Sequence, residues 1–183
     1  MNVWDKERFN RLESRIFATL EGKRPDVDVP FYRYLYSPDQ EVMSIREFKK
    51  LRDRIKAKGY SSDCVYMSNI FIKSMDNLGI YSEKNIASEK VNREIISEDL
   101  ERELPVLISA ELITLLTNKD HTYCAILLRT GVLFPFVHIS SILSKLEGHI
   151  RCCLVIPYPG NKEGEMLNYR GKSVKSYYRG EVY

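Results

Sequence analysis

The feature that most constrains the fold is the stretch 120–160, where only three basic and two acidic residues fall among 41. Within it Tyr123-Cys-Ala-Ile-Leu-Leu128 and Cys152-Cys-Leu-Val-Ile156 are continuously apolar rather than alternating. Strands of that kind are covered on both faces, which is the pattern of parallel sheets. The residues from about Pro135 to Glu147 read as a helix, and a helix between two such strands makes a right-handed parallel crossover. The stretch therefore predicts the centre of an α/β domain.

The rest of the chain supplies elements for the same sheet. Trp4, Phe9, Leu12, Ile16 and Leu20 recur at helical spacing and predict an amphipathic N-terminal helix within 1–24. Phe31-Tyr-Arg-Tyr-Leu-Tyr36 predicts the first strand, closed by Ser37-Pro38-Asp39. Residues 44–58 carry Ile45, Phe48, Leu51 and Ile55 on one helical face and end before Gly59. Cys64-Val-Tyr-Met67 predicts a second strand, followed by a helix through Ile70, Phe71 and Met75 that ends near Gly79. Residues 83–118 read as a helical excursion: an acidic, exposed part to 103, a boundary at Pro105, and then a helix apolar on nearly every face. Segment 161–183 is polar and punctuated by glycine until Tyr177-Tyr-Arg-Gly-Glu-Val-Tyr183, which predicts an edge strand or a docked tail.

At 183 residues and 21.4 kDa the chain fits one domain, 1–183, and area scaling lets it bury some 70% of its surface without staples. The expected architecture is a single α/β domain. Its mostly parallel central sheet has strand order 2-1-3-4, is flanked by helices, and has its switch point between strands one and three. The start reads as neither a signal nor a transit peptide, and no run of about 18 uncharged apolar residues spans a membrane. Cys64, Cys124 and the adjacent Cys152 and Cys153 are poor disulfide spacing, so a reducing cytoplasm is expected.

Signatures of chemistry are missing or misplaced. Neither G-x-x-x-x-G-K-[ST] nor G-x-G-x-x-G occurs, and with them goes the cradle of backbone N–H groups that holds phosphates. His121-x-x-Cys124 and His149-x-x-Cys152 offer zinc-type donors. Residues i and i+3 of a strand project to opposite faces, however, so they read as core cysteines and histidines at strand starts, and no metal is expected. His138 and Ser140 lack a G-x-S-x-G elbow and stand in apolar company. The seven Lys or Arg against two acids in 44–58 allow a weak phosphate-facing surface. The site that remains is geometric. Ligands and partners of open α/β sheets meet the carboxyl ends of strands at the switch point. Those ends are Tyr36, then Arg129, Thr130 and Gly131, then Tyr158, Pro159 and Gly160. Arg and Tyr are favoured anchors of protein interfaces.

The same loops carry a family likeness. Phe31-Tyr-Arg-Tyr-Leu-Tyr-Ser-Pro38, Arg129-Thr-Gly-Val-Leu-Phe-Pro-Phe-Val-His-Ile-Ser-Ser-Ile-Leu143, Leu154-Val-Ile-Pro-Tyr-Pro-Gly160, Leu167-Asn-Tyr-Arg-Gly171 and Tyr177-Tyr-Arg179, in that order, resemble the BrxB family. Its members are small components of bacteriophage exclusion (BREX) defence systems. The resemblance implies a cytoplasmic, non-catalytic adaptor without cofactors that binds a PglZ-like protein of alkaline-phosphatase fold. The PglX methyltransferase and the BrxC ATPase would be further partners, and DNA would be met only indirectly. The alternative from the residues themselves is a degenerate nucleotide-binding or nucleic-acid-binding module using the basic helix 44–58.

Overall fold

A computed structural model of the chain describes residues 4–23, 30–79, 83–163, 166–170, 172–175 and 180–183. The expected end motif Tyr177-Tyr-Arg179 lies outside them.

Helix α1 (Lys6–Leu20) starts where the Asp5 carboxylate accepts the Arg8 backbone N–H at 2.9 Å. Its buried stripe of Phe9, Leu12, Ile16 and Leu20 is the one that the spacing predicts. Trp4 precedes the cap and packs on Tyr34, with ring centroids 5.0 Å apart. Next come β1 (Phe31–Tyr36), α2 (Glu41–Ala57), β2 (Ser61–Tyr66), α3 (Met67–Asn77) and α4 (Glu83–Leu116). They are followed by β3 (Tyr123–Leu128), α5 (Ile139–Leu146) and β4 (Cys153–Pro159). Short strands β5 (Asn161–Glu163), β6 (Met166–Tyr169) and β7 (Lys172–Lys175) precede the final β8 (Glu181–Val182).

Five parallel strands form the main sheet in the order β2-β3-β4-β1-β8. The α/β class, the flanking helices, the N-terminal helix and the C-terminal edge strand are as expected. So are the end position of β2 and the pairing of β3 with β4. The place of β1 is a correction: it lies beyond β4 rather than between β2 and β3. It pairs with β4 along its whole length, from Phe31 against Leu154 to Tyr36 against Pro159. Successive crossovers explain the order: β2, β3 and β4 lie side by side in chain order, which leaves β1 the outer edge of β4. All six residues of β1 are buried, as an interior strand requires, whereas β2 exposes Ser61 and Asp63, as an edge strand can.

Continuous apolarity along the strands resolves into two alternating faces. Tyr32, Tyr34 and Tyr36 of β1, Cys124, Ile126 and Leu128 of β3, and Cys153 and Val155 of β4 meet α1 and α2. Phe31, Leu35, Ala125, Leu127, Leu154 and Ile156 meet α3, α4 and α5. Arg33 stands between Phe31 and Leu35 and is 2% exposed, a buried charge that a strand reading does not anticipate. After β1 the chain crosses one face through α2 to the far edge. It returns through α3, α4 and α5 on the other face, so the helices divide between the two sides.

Two expectations about helices need correction. No boundary falls at Pro105: α4 runs through it for 34 residues. Leu100, Leu104, Ile108, Leu112 and Leu116, all buried, repeat every fourth residue and hold both halves to one surface. The part after Pro105 is amphipathic, with Val106 48% and Leu115 45% exposed. The helix expected from Pro135 begins at Ile139, because a 3-10 turn at Thr130–Leu133 takes up the chain after β3.

Candidate functional site

Because β4 lies between β1 and β3, the carboxyl ends of all three strands are neighbours. The switch point thus falls where the expected loops meet, although the strand order that led to it differs. The Gly160 N–H donates to the Tyr36 carbonyl at 2.8 Å. The Thr130 hydroxyl donates to the Pro157 carbonyl and ties the β3 end to β4.

The antiparallel meander β5-β6-β7 folds back over this end. Its Tyr169 hydroxyl lies 3.0 Å from where a Cβ on Gly131 would stand, and the Pro159 ring is equally near. Tyr169 meets Phe134 edge to face at 5.3 Å and Tyr158 at 6.1 Å. At Gly160 any Cβ would press into the Asn168 carbonyl, so glycine lets the β4–β5 junction pass close to β6. The crevice in which open α/β sheets take ligands is therefore filled by the chain's own tyrosine.

The seven expected partner-facing residues divide by exposure. Tyr36 and Thr130 are each 2% exposed, and Pro159 and Gly160 are buried. Gly131 and Tyr158 are half-buried, and Arg129 is exposed. Arg129 adopts the left-handed conformation, with φ 60° and ψ 41°.

Two phenols of this cluster are held in their protonated form. Burial, and then the Glu41 carboxylate that accepts its hydroxyl, push the Tyr36 phenol above its ordinary range. Burial and Tyr169 raise that of Tyr158. Phenols shifted that way stay neutral at pH 7. His138 occupies the N-cap of α5.

The remaining donor sets are also dispersed. Cys124 and Cys152 are buried on opposite faces of the sheet, and His121 and His149 are exposed. Among the described residues no three His, Cys, Asp or Glu side chains gather as a metal site. Burial, and then Cys124, push the Cys152 thiol up to about 12, and burial raises Cys64 and Cys153 as well. On α2, Arg46 and Lys50 pair with Glu47, Arg52 with Asp53, Arg54 with Glu13 and Lys56 with Asp63. Lys49 and Lys58 lie over the rings of Tyr66 and Phe17. Five cations of the basic run are thus tied to four carboxylates where they stand. A groove of about 840 Å³ opens between α1 and β8, lined by Arg8, Arg11, Arg15, Glu181 and Tyr183 among others, with none of the seven expected partner-facing residues in its walls.

The model of the family described as BREX protein BrxB matches residues 64–181. The chain belongs to the BrxB family. The match begins in β2 and takes in β3, β4, the meander and the start of β8, so it covers two of the three strand ends at the site. No curated protein and no solved structure matches the chain. In this BrxB-family chain the residues that sequence reasoning missed are Tyr169, which closes the site, and Arg170 beside it. A signal was present: Tyr169 and Arg170 stand in the Leu167-Asn-Tyr-Arg-Gly171 motif, whose glycine is a turn-forming residue type.

Proposed function

We propose that this chain is a non-catalytic adaptor of a BREX anti-phage defence system, working in the cytoplasm. It docks a PglZ-like protein of alkaline-phosphatase fold through the carboxyl-end surface of its sheet. One observation carries this reading: Tyr169 fills the switch-point crevice, and what remains is a closed face bearing an exposed arginine and half-buried tyrosines. A filled crevice does not admit a small substrate, whereas Arg and Tyr on a firm face are the composition of interface anchors. Membership of the BrxB family places the search for a partner among BREX proteins.

On this reading Arg129 and Tyr158 touch the partner, with Gly131 at the rim. Tyr36, Thr130, Pro159 and Gly160 hold the loops in place from beneath. PglX and BrxC join through the assembly, and DNA is met by those partners. The test is co-purification of the tagged chain with the PglZ-like protein of its own system. Wild type is expected to retain the partner, and Arg129→Ala to weaken it about thirtyfold and impair phage resistance while melting near wild type. Failure of wild type to retain any PglZ-like protein would sink the reading.

A further inference from the structure

Among the described residues the two non-glycine positions with positive φ are Arg129, at 60°, and Arg170, at 50°. A side chain with a Cβ is disfavoured there, and glycine or asparagine would serve either turn with less strain. At both places the chain instead carries its longest cation. Both side chains are exposed, and neither makes an ion pair among the described residues. Arg170 has its guanidinium 5.7 Å from the centre of the Tyr169 ring.

The two belong to one place. Tyr169 immediately precedes Arg170, and its hydroxyl packs against Gly131, two residues after Arg129. The tyrosine that closes the switch point is thus flanked by two arginines, one from the β3 end and one from the β6–β7 turn.

We propose that Arg129 and Arg170 together read an acidic segment of the protein partner, each guanidinium taking a carboxylate. This rests on the adaptor reading above and adds the chemistry of its partner. A guanidinium presents a planar fork of donors that matches a carboxylate in two-point fashion, and it stays charged at any accessible pH. Nucleic acid is the poorer fit. Duplex binders commonly neutralise roughly six to ten phosphates, whereas here there are two cations, and Arg170 lies over the Tyr169 ring that meets Phe134 and Tyr158. Arginine on half-buried aromatics, as Arg170 lies on Tyr169, is the make-up of a protein hot spot. The backbone strain adds an argument: positions where glycine would be easier keep arginine because the side chain is used.

The test separates side chain from backbone. Arg129→Gly, Arg129→Asn, Arg170→Gly and Arg170→Asn remove the charge while suiting the left-handed conformation. Affinity for the PglZ-like protein is measured at 50 and 300 mM salt, with a 20-base-pair DNA duplex as the competing probe. Each single variant is expected to bind the partner about thirtyfold more weakly and the double variant about a thousandfold, with a flatter salt dependence and melting temperatures at or above wild type. Lysine at the same positions should recover part of the binding at 50 mM salt. A double variant that binds within twofold of wild type would overturn the proposal and leave the adaptor reading standing. So would variants that melt lower, or that lose duplex binding while keeping the partner. A wild-type chain that fails to bind the PglZ-like protein overturns both.

Discussion

Thr130 shows how little separates a supporting residue from a contacting one. Its neighbour Arg129 is exposed, yet Thr130 is 2% exposed and spends its hydroxyl on the Pro157 carbonyl. Thr130→Val leaves a buried acceptor without its donor and is expected to cost about 1–3 kcal/mol, read as a lower urea midpoint, while Thr130→Ser restores most of it. The cysteines give a pH dependence. Burial, and then Cys124, raise the folded Cys152 thiol to about 12, above the unfolded value of about 8.5. Its contribution is therefore complete below about pH 8.5 and is lost as pH rises towards 12, because the unfolded chain releases the proton first. Urea unfolding between pH 8 and 10.5 should show a falling midpoint, and Cys152→Ala should flatten that fall even though the variant is less stable at pH 7. At this scale residue type was informative: Arg129 and Tyr158 are conspicuous in the chain. Burial was not, since nothing around Tyr36 or Thr130 in one dimension says that a meander far along the chain, Asn161 to Lys175, covers them.

Among the elements, α4 and β8 show where local rules yield. A proline inside a helix costs about 3 kcal/mol and reads as a stop, but each buried leucine or isoleucine in the stripe from Leu100 to Leu116 contributes about 1.5–3 kcal/mol. Five of them outweigh one missing hydrogen bond, and the helix continues through Pro105. The strands were readable because their apolar runs are long, and α1, α2 and α3 because their stripes repeat at the helical period. The meander was not, because three strands of three or four residues among polar side chains leave no period to find. β8 is equally short, and a glycine sets its place. Gly180 has φ 82°, and a Cβ there would strike the Phe31 carbonyl. Gly180→Ala is expected to lift β8 from β1. The Leu35 amide, which donates to the Tyr183 carbonyl at 2.8 Å, should then exchange at least about tenfold faster, while amides of β3 keep their protection.

For the whole molecule the decisive fact is the order β2-β3-β4-β1-β8, which sets three strand ends side by side. Sequence placed the switch point at those loops through a different order, and the loops met because β4 entered between β1 and β3. Which strand lies beside which depends on burial of both edges, and β1 has no sequence mark that distinguishes the neighbour it takes. The same whole-molecule view bears on DNA. With five of the seven cations of 44–58 in ion pairs and the other two over rings, the isolated chain is expected to bind a DNA duplex no more tightly than about 10⁻⁵ M at 150 mM salt, measured by fluorescence anisotropy. Submicromolar binding lost on Lys49→Ala and Lys50→Ala would instead favour a nucleic-acid-binding module. The central claim is that the partner sits on the carboxyl end of the sheet. Hydrogen exchange of the chain alone and in complex with the PglZ-like protein tests it most directly. The expected result is new protection in 129–134 and 168–170, with the α1 face and α2 unchanged. Protection confined to the groove between α1 and β8, or to α2, with the 129–134 amides exchanging as in the free chain, would contradict it.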